Sequence, residues 1–177
     1  MASSQSGYTQ TQWLVDRANI EDALVQLCWS LDRKDWDMER AILNPKGVSF
    51  DDSDLFGPDA AGRVMPIEEH IQSDMNFTSY MDVTQNSLSL MRHNLPQPGP
   101  NVKLPMQAAT EVNVTTTIIN KKAKEGDRAV YGAYYTIVVD RVETKDEYAN
   151  PWKITSLVTS KLWLDGNFKA MLPPDAQ

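Results

Sequence analysis

Acid and base chemistry has few carriers in this chain. The clearest is Asp32, which follows the apolar run of Leu24, Leu27, Cys28, Trp29 and Leu31. An aspartate at the C-terminal end of an apolar helix feels the negative pole of the helix dipole and is desolvated by its neighbours. Both effects raise its pKa toward the range useful for proton transfer. Asn86 alternates with Leu88 and Leu90, so an amide and two apolar side chains share a strand face. An inward amide would hold a carbonyl or enolate oxygen. Tyr134 shares a face with Thr136 and offers a phenol as donor or anchor. Glu111 shares a face with Asn113 and is a second acid/base candidate. The expected catalytic set is therefore Asp32, Asn86, Tyr134 and Glu111. The expected substrate-binding wall is Trp29, Cys28, Leu88, Leu90, Phe50, Thr136 and Trp163, with His93 at a pocket mouth.

Other chemistries find no carrier in the pattern. His70 and His93 show no ligand spacing with Cys28 or the carboxylates, so no metal site is expected. No glycine-rich phosphate loop and no nucleophile elbow is present, and no cofactor is expected. The formal net charge is −7, which repels phosphate backbones, so nucleic acid is not an expected partner. No apolar run approaches the roughly 20 residues of a membrane-spanning helix. The single cysteine cannot form an internal disulfide, and the polar start lacks the basic and apolar regions of a signal peptide. A cytoplasmic location is the expectation.

The elements that must position these residues follow from hydrophobic period. Residues 1–10 read as a disordered lead-in and 11–177 as one domain. Ile20, Leu24, Leu27 and Leu31 make a helical stripe, with Asp16 as the expected N-cap. Asp35 caps a second, short helix, and Val48 to Asp51 form a short strand. Met65-Pro66 opens a third helix whose buried stripe is Ile67, Ile71 and Met75. From Val83 the period drops to 2, with strands at Val83–Arg92, Thr110–Lys122, Arg128–Val142 and Trp152–Leu164. Four prolines between Asn94 and Pro105 forbid a strand interior there. Helices first and long antiparallel strands after give an α+β fold. Its expected form is a cone-shaped barrel, a curved antiparallel sheet wrapped around N-terminal helices with one deep pocket.

Several segments resemble the SnoaL-like family of the nuclear transport factor 2-like superfamily, relatives of polyketide cyclases and of fungal scytalone dehydratase. They are Asp16 to Leu24, Leu31 to Asp37, Val48 to Asp51, Thr84-Gln85-Asn86 and Trp152-Lys153-Ile154. The resemblance implies the cone fold, a homodimer through the sheet, and cofactor-free work on small, often polycyclic molecules of fungal secondary metabolism. Asp32 stands where the dehydratases have a pocket aspartate, and Asn86 stands where a pocket histidine is common. Leu31 replaces a tyrosine of that pattern, and Asp52 stands near another. The dehydration machinery is thus incomplete, and isomerisation or cyclisation stays open beside dehydration. The expected function is a cofactor-independent isomerase, cyclase or dehydratase of a polyketide- or terpenoid-type metabolite. The alternatives are a non-catalytic ligand-binding or dimeric interaction module and the small subunit of a ring-hydroxylating oxygenase.

Overall fold

The computed structural model describes residues 7–173. Residues 1–6, most of the expected disordered lead-in, lie outside them. The order is α1 (Gln10–Arg33), α2 (Trp36–Ile42), β1 (Ser49–Asp51), α3 (Ser53–Phe56), α4 (Ile67–Thr78), β2 (Val83–His93), β3 (Gln107–Ile119), β4 (Arg128–Arg141) and β5 (Trp152–Gly166). The strands form one sheet in the order β1-β5-β4-β3-β2. β2 to β5 form an antiparallel meander, and β1 joins β5 in parallel. The ladder slips between Ser89 and Arg92, at Gly132/Ala133 and at Val138/Val139. Such bulges increase local twist and bend a sheet, here around the helices.

The first helix begins earlier than its pattern suggests. Thr9 and Gln12 form a capping box, which satisfies free N–H groups at the start of α1. Asp16 is therefore not an N-cap but an interior residue, buried to 3% exposure. It accepts hydrogen bonds from the Tyr8 hydroxyl at 2.8 Å and Trp152 Nε1 at 3.0 Å, and it pairs with Arg141. Tyr8 also bridges to Gly99 in the proline-rich segment, so the chain is ordered from before residue 10. At the other end Lys34 takes a left-handed conformation, and its N–H reaches back to the Leu31 and Ser30 carbonyls. That stop leaves Asp32 in the last turn.

The core lies between α1 and the concave face of the sheet. Ile20, Leu24 and Leu27 pack with Val112, Val114, Ile137, Val139, Trp152 and Ile154. Each large side chain so enclosed contributes about 1.5–3 kcal/mol of burial. On α4, Ile71 is buried as expected, but Met75 is 39% exposed and His70 takes the inner position at 3%. The helix is rotated so that His70, Ile71, Asp74 and Thr78 face inward, which is one stripe at i, i+1, i+4 and i+8.

Candidate active site

The end of α1, the inner face of the sheet and the segment after β1 enclose a cavity. Its volume is about 100 Å³. Most of the wall is apolar, including Leu27, Leu31, Phe50, Phe56, Phe77 and Leu157. A small polar set enters it: Asp52, Asp74, Thr78, Thr84, Asn86, Thr116, Tyr131 and Tyr135. A mostly apolar cavity with a few convergent polar groups is the usual form of a small-molecule site.

Asp52 follows β1 and is held by its own backbone. Its N–H donates to the Ala60 carbonyl at 3.0 Å, and its carbonyl accepts from Leu55 and Phe56 at 2.9 Å. Its carboxylate accepts from the Thr159 hydroxyl at 2.5 Å. Burial raises the Asp52 pKa above the usual aspartate value, the Thr159 hydrogen bond opposes this, and Asp51 adds to it. Facing it on β4 are Tyr131 and Tyr135, whose hydroxyl oxygens stand 3.3 Å apart. Burial is the main cause that raises both phenols, and the charge of Asp52 adds to it. Both therefore stay protonated near neutrality and able to donate.

Asn86 is oriented from two sides. Its side-chain N–H donates to Asp32 at 2.7 Å, and its oxygen accepts from Thr116 at 2.7 Å. Its backbone N–H holds the second Asp32 oxygen at 3.0 Å. Asp32 is half-buried behind Asn86 and is not part of the cavity wall. Burial raises its pKa, and the Asn86 and Thr84 hydrogen bonds work against that. Asp32 thus fixes the amide that faces the cavity.

Of the residues expected at the site, Asn86, Cys28 and Phe50 line the cavity, and Leu88 packs beside them against the core. Leu90, Glu111, Tyr134 and Thr136 do come together, but in a shallow depression on the opposite face of the sheet. The bulge after Ser89 puts Leu90 at φ +49° and turns it outward, so it is 81% exposed. Glu111 pairs there with Arg92. Tyr134 is 48% exposed, because the parity of β4 sends Tyr131 and Tyr135 inward instead. Trp163 lies across Gly132 on the outer face, where a Cβ at residue 132 would meet its ring at 2.3 Å. Trp29 is exposed, with the Arg33 guanidinium 4.3 Å above its ring. His93 is not at the cavity mouth; its ring nitrogens meet Thr110 at 2.9 Å and Glu21 at 3.2 Å. Glu111, Tyr134, Leu90, Thr136, Trp163, Trp29 and His93 are thus corrected as cavity residues.

A second polar group lies behind the wall. Glu39 of α2 is wholly buried, and His70 and Asp74 of α4 close around it. Burial pushes the Glu39 carboxyl up to about 7. His70 and Asp74 share one helical face at i, i+4, a spacing that the expectation of no metal site passed over. Glu39, far away in the chain, gave no such signal. Asp52, Tyr131 and Tyr135 were visible only as a loop acid and as two tyrosines on the face opposite Tyr134.

No protein-family model matches the sequence. No curated protein matches it either. Solved structures do resemble the fold. The Kfla4162 protein of Kribbella flavida superposes with a TM-score of 0.73 at 15% identity, covering 88% of this chain and 96% of its own. A hexachlorocyclohexane dehydrochlorinase, LinA type 2, gives 0.66 at 15% identity over 86% and 88%. A nuclear transport factor 2-like superfamily protein of Salmonella enterica gives 0.61 at 10% identity over 84% and 91%. The chain therefore has the nuclear transport factor 2-like cone fold. Among the described residues no helix is long and apolar enough to cross a membrane.

Proposed function

We propose that this chain is a cofactor-independent enzyme that moves a proton on a small, largely apolar molecule, as a lyase or isomerase of the SnoaL-like kind. The observation that carries the reading is Asp52: a raised carboxyl group, fixed by its backbone, opening on an apolar cavity opposite two neutral phenols. Asp52 as carboxylate takes a proton from carbon beside an electron-withdrawing group. The electron pair moves toward an oxygen held by Tyr131, Tyr135 and Asn86. Isomerisation follows if Asp52 returns the proton to another carbon. Elimination follows if a neighbouring group leaves with the electron pair, the kind of step the name dehydrochlorinase describes for LinA. Asp32 serves as a positioning residue for Asn86. A polyketide- or terpenoid-type ring would fill the cavity, and catalysis would rest on orientation in a dry site.

A homodimer through the outer sheet face belongs to the same reading. That face carries Leu90, Tyr134, Val158, Leu162 and Trp163, each more than 40% exposed. Light scattering on the purified chain should give twice the 19.9 kDa chain mass; a monomer at high micromolar concentration removes this part.

The test of the activity is hydrogen exchange at carbon. A panel of cyclic ketones and enones is incubated in deuterated water with the wild type and Asp52→Asn, and deuterium uptake is read by mass spectrometry. The wild type should label at least one compound, and Asp52→Asn should label it at least about 100-fold more slowly. Equal labelling by both proteins would remove Asp52 from the chemistry. No labelling of any compound, with one of them nevertheless bound, would favour a ligand-binding module.

A further inference from the structure

The reaction just described leaves three ligand-type side chains, two buried and one partly buried, without employment. Glu39 stands on α2, and His70 and Asp74 stand one turn apart on α4. The Glu39 side chain is 0% exposed and that of His70 3%. Among the described residues, neither oxygen of Glu39 nor His70 Nε2 has a hydrogen-bond partner of good geometry, unless Asp74 is protonated and shares its proton with Glu39. The nearest arginine in sequence, Arg40, is turned away to Glu68 and Asp37. Phe50 covers the His70 ring at 4.2 Å between centroids. Glu39 and Asp74 share the single imidazole of His70, less than the donors or the cation that buried charges ordinarily have.

The spacing says what would satisfy them. His70 Nε2 lies 3.3 Å from a Glu39 oxygen and 3.4 Å from an Asp74 oxygen. One ligand atom from each of the three residues falls within 4.8 Å of the others. Ligands bound tetrahedrally to zinc at about 2.0–2.1 Å stand roughly 3.4 Å apart. We propose that Glu39, His70 and Asp74 bind one divalent transition-metal ion of the zinc type, with a fourth position for water. An imidazole and two carboxylates suit zinc or cobalt; magnesium and calcium demand six or more oxygens. The ion neutralises the paired acids and clamps α2 to α4. Asp74 also lines the cavity, so the ion stands in its wall. This proposal does not depend on the proton-transfer reading.

The experiment uses the full chain, stripped with a chelator, dialysed, and titrated with Zn²⁺ against a chromophoric competitor. One equivalent should bind with submicromolar Kd, and the melting temperature should rise by roughly 5 °C or more when free zinc is about a hundredfold above Kd. Co²⁺ in its place should give the intense visible bands of a tetrahedral site. His70→Gln and Asp74→Asn, checked for folding by circular dichroism, should each weaken binding at least about tenfold. Absence of a stoichiometric site in the wild type overturns the proposal, as does unchanged binding in a folded variant, which would place the ion on surface acids. Should both variants unfold, the wild-type cobalt spectrum decides: a pale octahedral spectrum contradicts the site.

Discussion

Two aspartates, Asp16 and Asp52, show how differently one fold can bury the same group. Asp16 is enclosed by a phenol, an indole N–H and a guanidinium, and the guanidinium itself stacks 4.6 Å over the Trp152 ring. Nothing is left over for a ligand. Asp52 has one hydroxyl from Thr159 and a cavity in front of it. The first arrangement joins the start of α1 to β4 and β5, and it stabilises the fold. The second leaves a carboxyl group under-solvated, which costs stability and makes it reactive. Burial of an acid therefore says little by itself; the number of its partners says which role it has.

This contrast can be broken at several points. Asp16→Ala should have the largest effect on stability. It strands Arg141 in the interior and should cost about 3–5 kcal/mol in urea unfolding. A loss below about 1 kcal/mol would mean that the network is not what holds the two ends together. Thr159→Val comes next. It removes the donor to Asp52 and should cost about 1–3 kcal/mol. Because that hydrogen bond lowers the Asp52 pKa, its loss should also move the rising, acid-side limb of the pH–rate profile to higher pH; an unmoved limb would mean another group titrates there. Asp32→Asn should lower the rate about tenfold or less, through a less firmly held Asn86, with little change in pH dependence. A loss as large as that of Asp52→Asn would make Asp32 the proton carrier instead. The smallest effect is expected at Cys28, whose thiol burial pushes up to about 12. The folded protein should resist alkylation at pH 8 for hours, and mass spectrometry would detect a labelled thiol if the cavity wall opens readily.

Much of the fold was legible because its signals are periodic. The four long strands and the stripe of α1 follow from alternation and from i, i+4 spacing. The faces were harder. The parity of a strand fixes which residues stand together, but not which side looks inward, and one bulge resets the parity. So Tyr134 and Tyr131 could be separated in the sequence, while the choice between them could not. Leu90 went wrong for the same reason, since the bulge after Ser89 has no residue signature. Asp52 sits in an irregular segment between β1 and α3, where no periodicity exists to place it. Glu39 lies among charged neighbours, Asp37 and Arg40, and nothing in that local pattern marks it for burial. Only tertiary packing of α2 on α4 buries it.

The central claim is that Asp52 is kept in the cavity for chemistry and not for stability. Its raised pKa carries a definite sign. The stability attached to it is present below the ordinary aspartate value and is lost as pH rises through the raised value. Asn in its place would escape that loss. The direct measurement is the melting temperature of wild type and Asp52→Asn at pH 4.5 and pH 8, alongside their deuterium-exchange rates on the same compound. The account predicts that Asp52→Asn is inactive at both values, close to wild type in stability at pH 4.5, and more stable by on the order of 1 kcal/mol at pH 8. A variant that is less stable at pH 8 and still active would contradict it.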